Sequence, residues 1–190
     1  MLLAYEQGCV LKNLPNLLTI SRIFLSIFLL VFILYGDVLL PHWVDRSWVN
    51  YFSCLIFCLA SLTDFFDGYI ARNYNSKSIF GEVFDPLADK MLILSAFVGL
   101  LVAGRANAWA VYIILSREFF ITGLRVIVAG SGKKIAANML GKYKTGFQIL
   151  AIAFLLADFF PGGNILLWIA TFATLYSGCD YAISYYKSMK

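Results

Sequence analysis

At 190 residues the chain is long enough for one domain and has no linker-like stretch, so a single domain over 1–190 is expected, with residues 1–15 a short cytoplasmic or interfacial segment. Hydrophobic residues make up 61% and charged residues 14%, with a mean hydropathy of +0.80; a soluble protein of this size could not cover so much apolar surface, so lipid is the solvent for most of it. The net charge of +4 is too modest to suggest nucleic acid as a partner.

A bilayer span needs roughly 20 mostly apolar residues. Taken in chain order, such stretches fall at 17–35, 48–72, 80–103, 108–129, 142–160 and 165–186, which predicts an all-α integral membrane bundle of six transmembrane helices. The first span lacks an Ala-x-Ala-like cleavage pattern and carries Arg22 inside its apolar run, so it reads as a retained helix rather than a leader. Pro41 breaks the chain between the first two spans, and Gly130 and Gly132 break it after the fourth. Residues 73–79 form a short turn, so the second and third helices return antiparallel. Tyr5, Tyr181, Tyr185 and Tyr186 read as interfacial anchors. The cysteines, Cys9, Cys54, Cys58 and Cys179, have neither a second pair nor a histidine partner, since His42 lies in a loop; they read as small apolar fillers, not as a zinc site or a disulfide framework.

Orientation follows from the basic residues outside the apolar runs. Lys12, Arg72, Lys77, Lys133, Lys134, Lys142, Lys144, Lys187 and Lys190 fall on one side, and Arg46 and Arg105 on the other. Basic residues stay cytoplasmic, which places both termini in the cytoplasm.

Within or at the rim of these spans lie Arg22, Asp64, Asp67, Asp85, Asp89, Lys90, Arg117, Glu118 and Arg125, with Glu82 a rim charge. Each such group at the bilayer centre costs roughly 2.5–3.5 kcal/mol, so the set requires pairing, metal or water. On the second helix Asp64, Asp67, Gly68, Ala71 and Arg72 follow steps of three, one, three and one, a single stripe. Gly81, Asp85 and Asp89 repeat every four on the third. At 1.5 Å per residue Asp64 and Asp89 lie roughly 12 Å below the turn, with Asp67 and Asp85 nearer the rim. Carboxylates gathered this way repel one another unless cations neutralise them, and all-oxygen ligation selects hard ions such as Mg²⁺ or Mn²⁺. A pair of such ions is a known clamp for phosphoryl chemistry, and one aspartate can take the proton of an incoming hydroxyl. The pattern therefore points to a metal-dependent phosphoryl-transfer site at a cytoplasmic membrane face.

The run Asp64-Phe-Phe-Asp67-Gly68-Tyr-Ile-Ala71-Arg72, followed by Gly81-Glu-Val-Phe-Asp85-Pro-Leu-Ala-Asp89, resembles the D-x-x-D-G-x-x-A-R, G-x-x-x-D-x-x-x-D motif of the CDP-alcohol phosphotransferase family, and all eight fixed positions match. The resemblance implies six transmembrane helices, a homodimer, two divalent ions in a cytoplasm-facing site, a CDP-linked lipid donor and CMP as the leaving group. By position it implies that Asp64, Asp67, Asp85 and Asp89 ligate metal and that Asp89 is also the general base. Asp64, Gly68, Ala71, Arg72 and Gly81 would then hold the cytidine diphosphate portion.

Further segments are similar to the branch of that family that uses glycerol-3-phosphate, the phosphatidylglycerophosphate synthases: the entry from Leu14-Pro15-Asn16 to Arg22, the run from Arg117-Glu118 to Arg125, and Gly141-Lys142-Tyr-Lys144-Thr145-Gly-Phe-Gln148, with a weaker continuation through Ser177-Gly-Cys-Asp180-Tyr181. CDP-diacylglycerol and glycerol-3-phosphate are then the expected substrates. A dianionic acceptor needs cations. Arg117 and Arg125 lie about two turns apart on one helix face, with Lys142 and Lys144 beyond the next loop. Arginine suits bidentate phosphate binding and lysine adds point charge, so these four are the candidate acceptor ligands, against the alternative that they neutralise neighbouring helices and mark topology. Asn16, Thr19 and Arg22 are candidate supporting or nucleotide contacts, with helix packing or capping as the alternative. The rival acceptors within the family are serine, inositol phosphate, phosphatidylglycerol and choline-type alcohols. A divalent-cation transporter lined by the same aspartates would need polar groups across the membrane, yet 52–60 and 91–102 are almost wholly apolar.

Overall fold

The computed structural model describes the backbone of residues 2–41, 45–73, 79–130 and 139–189, and the side chains of 20–41, 45–63, 87, 90–127 and 141–186. Over the described residues the chain is all-helical: α1 (Leu2–Leu39), α2 (Arg46–Asn73), α3 (Ile79–Val102), α4 (Ala108–Gly130), α5 (Met139–Leu156) and α6 (Gly162–Met189). These agree with the expected helices at most ends. The main difference is α1, which reaches back through Pro15 to Leu2, whereas the apolar run alone marks a start near residue 17. Hydropathy reports where lipid-compatible side chains begin; it does not report where the backbone becomes helical. Among the described residues Ile20–Leu39, with a mean hydropathy of 2.2, is long and apolar enough to cross a membrane, and Lys90–Val102 is a shorter apolar stretch.

The chain divides into two compact units, Met1–Gly99 and Leu100–Lys190. In the first, α1 packs along α2. The contact is close because Gly36 lacks a side chain: a Cβ there would stand 2.5 Å from Val49 Cγ1. Gly99 of α3 plays the same part against Ile33 of α1, at 3.0 Å. Buried Ser26 and Ser53 satisfy their hydroxyls within their own helices, on the carbonyls of Ile23 and Val49. The exposed side of α2 carries Trp48, Tyr51, Phe52, Leu55, Leu59 and Leu62, a surface suited to lipid. Cys54, Cys58 and Cys179 form no disulfide among the described residues.

In the second unit α6 packs against both α4 and α5. Ala110, Ala151 and Ala170 are fully buried, and such small residues let helices approach closely. The turn into α4 is built from local sequence. Gly104 takes φ 71°, its N–H donates to Leu101 O and that of Arg105 to Leu100 O, the paired bonds of a Schellman stop. Asn107 Oδ1 then accepts the N–H groups of Trp109 and Ala110, capping α4.

The end of α5 repeats the device with Asp158, at φ 58°, in the position usually held by glycine. Asp158 N–H donates to Leu155 O and Phe159 N–H to Phe154 O, and the Phe154 and Phe159 rings meet edge-on with centroids 5.6 Å apart. Arg105 joins the two turns: one guanidinium nitrogen reaches the carbonyl of Leu156 at 3.4 Å and another lies 3.8 Å from the Asp158 carboxylate.

Candidate active site

The motif carboxylates are carried by helices that run unbroken through them: Asp64, Asp67, Gly68, Ala71 and Arg72 on α2, and Gly81, Asp85 and Asp89 on α3. Their three- and four-residue intervals are therefore helical intervals. The side chains of all eight, with those of Asn16, Thr19 and Glu82, lie outside the described residues. Among the described residues no group of three or more His, Cys, Asp or Glu side chains stands ready to hold a metal ion, and the motif is the candidate metal centre on its sequence alone. Its donor set of carboxylate oxygens fits a hard divalent cation.

The cationic residues lie in the second unit. Three polar stripes meet there: Arg117 and Glu118 on α4, Lys144 and Gln148 on α5, and Thr174 and Ser177 on α6. Lys144 donates to Glu118 Oε1 in a salt bridge. Arg117 Nη1 lies 3.6 Å from the same oxygen, and Arg117 Nη2 donates to Ser177 Oγ at 2.9 Å. Gln148 Nε2 reaches both Glu118 Oε1, at 3.5 Å, and Thr174 Oγ1, at 3.1 Å. The side chains of Arg117, Glu118 and Lys144 are only 12%, 15% and 6% exposed. Such burial demands internal compensation, and Glu118 is the shared counter-charge of both cations. Arg117 Nε is buried without a hydrogen-bond partner among the described residues.

Arg125, two turns along α4, is exposed and stands over the ring of Tyr181, 5.4 Å from its centroid. Tyr181 is only 7% exposed, so it is a packed support for a cation and not the interfacial anchor expected from its place near a helix end. Lys142 is exposed, whereas Lys144 is buried. Residues two apart on a helix face different ways, so the structure does not bring these two lysines together. Arg22 is half-buried on α1. Gln148, Thr174, Ser177 and Gly178 were not among the expected site residues. Their signal was available: 174, 177, 178 and 181 recur at helical spacing along one stripe of α6.

The six helices, the eight motif positions and the buried cations define a class. The chain matches the CDP-alcohol phosphatidyltransferase family over residues 12–176, and it belongs to that family. The family is generally divalent-cation dependent. Among its relatives is the CDP-diacylglycerol–glycerol-3-phosphate 3-phosphatidyltransferase of Bacillus subtilis (strain 168), 39% identical over 94% of this chain and 97% of that protein. Proteins of the same name from Rickettsia felis and Salmonella choleraesuis are each 38% identical, covering 94% and 89% of this chain and 96% and 92% of their own lengths.

Proposed function

We infer that this chain transfers the phosphatidyl group of CDP-diacylglycerol to sn-glycerol-3-phosphate, giving phosphatidylglycerophosphate and CMP in phospholipid biosynthesis. The observation that carries this reading is the near full-length similarity to relatives named for that reaction. The complete motif, Asp64 to Asp89, supports it. Asp64, Asp67, Asp85 and Asp89 would hold two divalent ions, Mg²⁺ or Mn²⁺. When bound, such ions neutralise the donor's pyrophosphate and its leaving oxygen. Asp64, Gly68, Ala71, Arg72 and Gly81 hold the cytidine diphosphate, the glycines and alanine by admitting it closely and Arg72 by charge. Asn16, Thr19 and Arg22 support this set from α1.

Arg117, Arg125 and Lys142 bind the acceptor's phosphate, while Lys144, buried against Glu118, steadies the carboxylate that holds Arg117. Asp89 takes the proton from the acceptor hydroxyl. That oxygen forms a bond to the phosphorus bearing diacylglycerol, the bond from this phosphorus to the CMP oxygen breaks, and the electron pair leaves with CMP. No side-chain nucleophile is required. The chain works as one domain of six membrane-crossing helices, with both termini and the site facing the cytoplasm, and as a homodimer.

The test is CMP release by the purified protein from CDP-diacylglycerol in mixed micelles, with glycerol-3-phosphate, serine, inositol phosphate or phosphatidylglycerol offered in turn. Turnover with glycerol-3-phosphate alone is expected. Turnover with serine but not glycerol-3-phosphate overturns the acceptor, and metal flux into proteoliposomes without CMP release overturns the reaction.

A further inference from the structure

Gly178, Ser177 and Tyr181 share one stripe of α6, and each meets a different part of an α4 arginine. Ser177 Oγ accepts from Arg117 Nη2 at 2.9 Å, which fixes the plane of that guanidinium. Gly178 leaves the space that the stem occupies: a Cβ there would stand 3.1 Å from Arg117 Cγ and 3.3 Å from Nε. Tyr181 lies under Arg125 with 5.4 Å from ring centroid to guanidinium carbon. Nη1 turns towards Glu118 at 3.6 Å, so two of the three guanidinium nitrogens of Arg117 are engaged by protein. The third, Nε, is buried with no hydrogen-bond partner among the described residues. A buried donor left unpaired is costly, and it is expected to persist where a ligand completes it. An oxyanion suits an Nε–H edge, because guanidinium forks pair with phosphate oxygens.

We propose that Ser177, Gly178 and Tyr181 of α6 are positioning residues that aim Arg117 and Arg125 at the acceptor's phosphate, with Arg117 Nε as a donor to a phosphate oxygen. This rests on the reading of those arginines as phosphate ligands. Gly178 is the sharpest of the three, because a methyl group there displaces the arginine stem without removing a polar group.

The experiment measures KM for glycerol-3-phosphate, KM for CDP-diacylglycerol, kcat, competitive inhibition by inorganic phosphate, and thermal unfolding, for full-length variants in the same micelles. Ser177→Ala is expected to raise KM for glycerol-3-phosphate about fivefold, the value of one hydrogen bond. Gly178→Ala and Tyr181→Leu are each expected to raise it about threefold or more. The inhibition constant for phosphate rises in parallel, while KM for CDP-diacylglycerol holds and the melting temperature falls by about 4 °C or less, the cost of one hydrogen bond. Tyr181→Phe, which keeps the ring, recovers most of what Tyr181→Leu loses. Arg117→Ala and Arg125→Ala separate the two levels of the claim. If neither raises KM for glycerol-3-phosphate, the phosphate reading itself fails. If they raise it but the α6 variants leave it unchanged, or shift both substrates alike, the positioning role is overturned and the phosphate reading stands.

Discussion

Glu118→Gln removes one negative charge and little volume from the centre of the second unit, and its cost can be worked from the surroundings. The carboxylate faces Lys144 and Arg117, and none of the three side chains exceeds 15% exposure. Loss of one member of a buried ion pair costs about 3–5 kcal/mol, because the remaining charge is left uncompensated. Here two cations remain and can draw apart once the carboxylate is gone, so the lower figure of about 3 kcal/mol is expected. At about 2–4 °C per kcal/mol for a chain of this size, the melting temperature should fall by about 6–12 °C. Adding Lys144→Met removes one of the stranded charges at similar length, and a double-mutant cycle should return a coupling of about 2 kcal/mol. Both are read by thermal unfolding of purified protein in one detergent. A Glu118→Gln protein that melts within about 2 °C of the parent, or a double variant whose losses simply add, refutes the shared counter-charge.

Gly36→Ala should destabilise the α1–α2 contact by about 1–3 kcal/mol, since its methyl would meet Val49 Cγ1 at 2.5 Å; Val49→Ala in the same chain should recover much of the loss in thermal unfolding. Asp89→Asn should lower kcat by about 10²–10⁴ without unfolding the protein, as expected for loss of a general base, and a CMP-release assay with a parallel melting curve checks both halves. Chelation with EDTA should abolish CMP release, and Mg²⁺ or Mn²⁺ but not Na⁺ should restore it; release that survives exhaustive chelation removes the metal assignment.

Much of this organisation was legible in the sequence because it is local. Apolar runs gave the helices; the stop at Gly104 and the cap at Asn107 are as local, but hydropathy does not mark them and they emerge only from the backbone. The carboxylate motif was legible as spacing alone. What spacing could not say is which neighbour each stripe meets. Lys142 and Lys144 look alike in sequence, yet helical rotation exposes one and buries the other against Glu118. Tyr181 sits near a helix end, where tyrosines often anchor at the interface, but packing against Arg125 decided its place. Glu118 and Gln148 gain their meaning only from tertiary contacts.

The bridge formed by Arg105 has a mechanical corollary. It fastens the α3–α4 turn to the end of α5 through the Leu156 carbonyl and the Asp158 carboxylate. The Glu118–Lys144 bridge ties the same helices again, roughly 18 Å further along α5. With α6 packed against both, α4 and α5 are held like a plank nailed at each end.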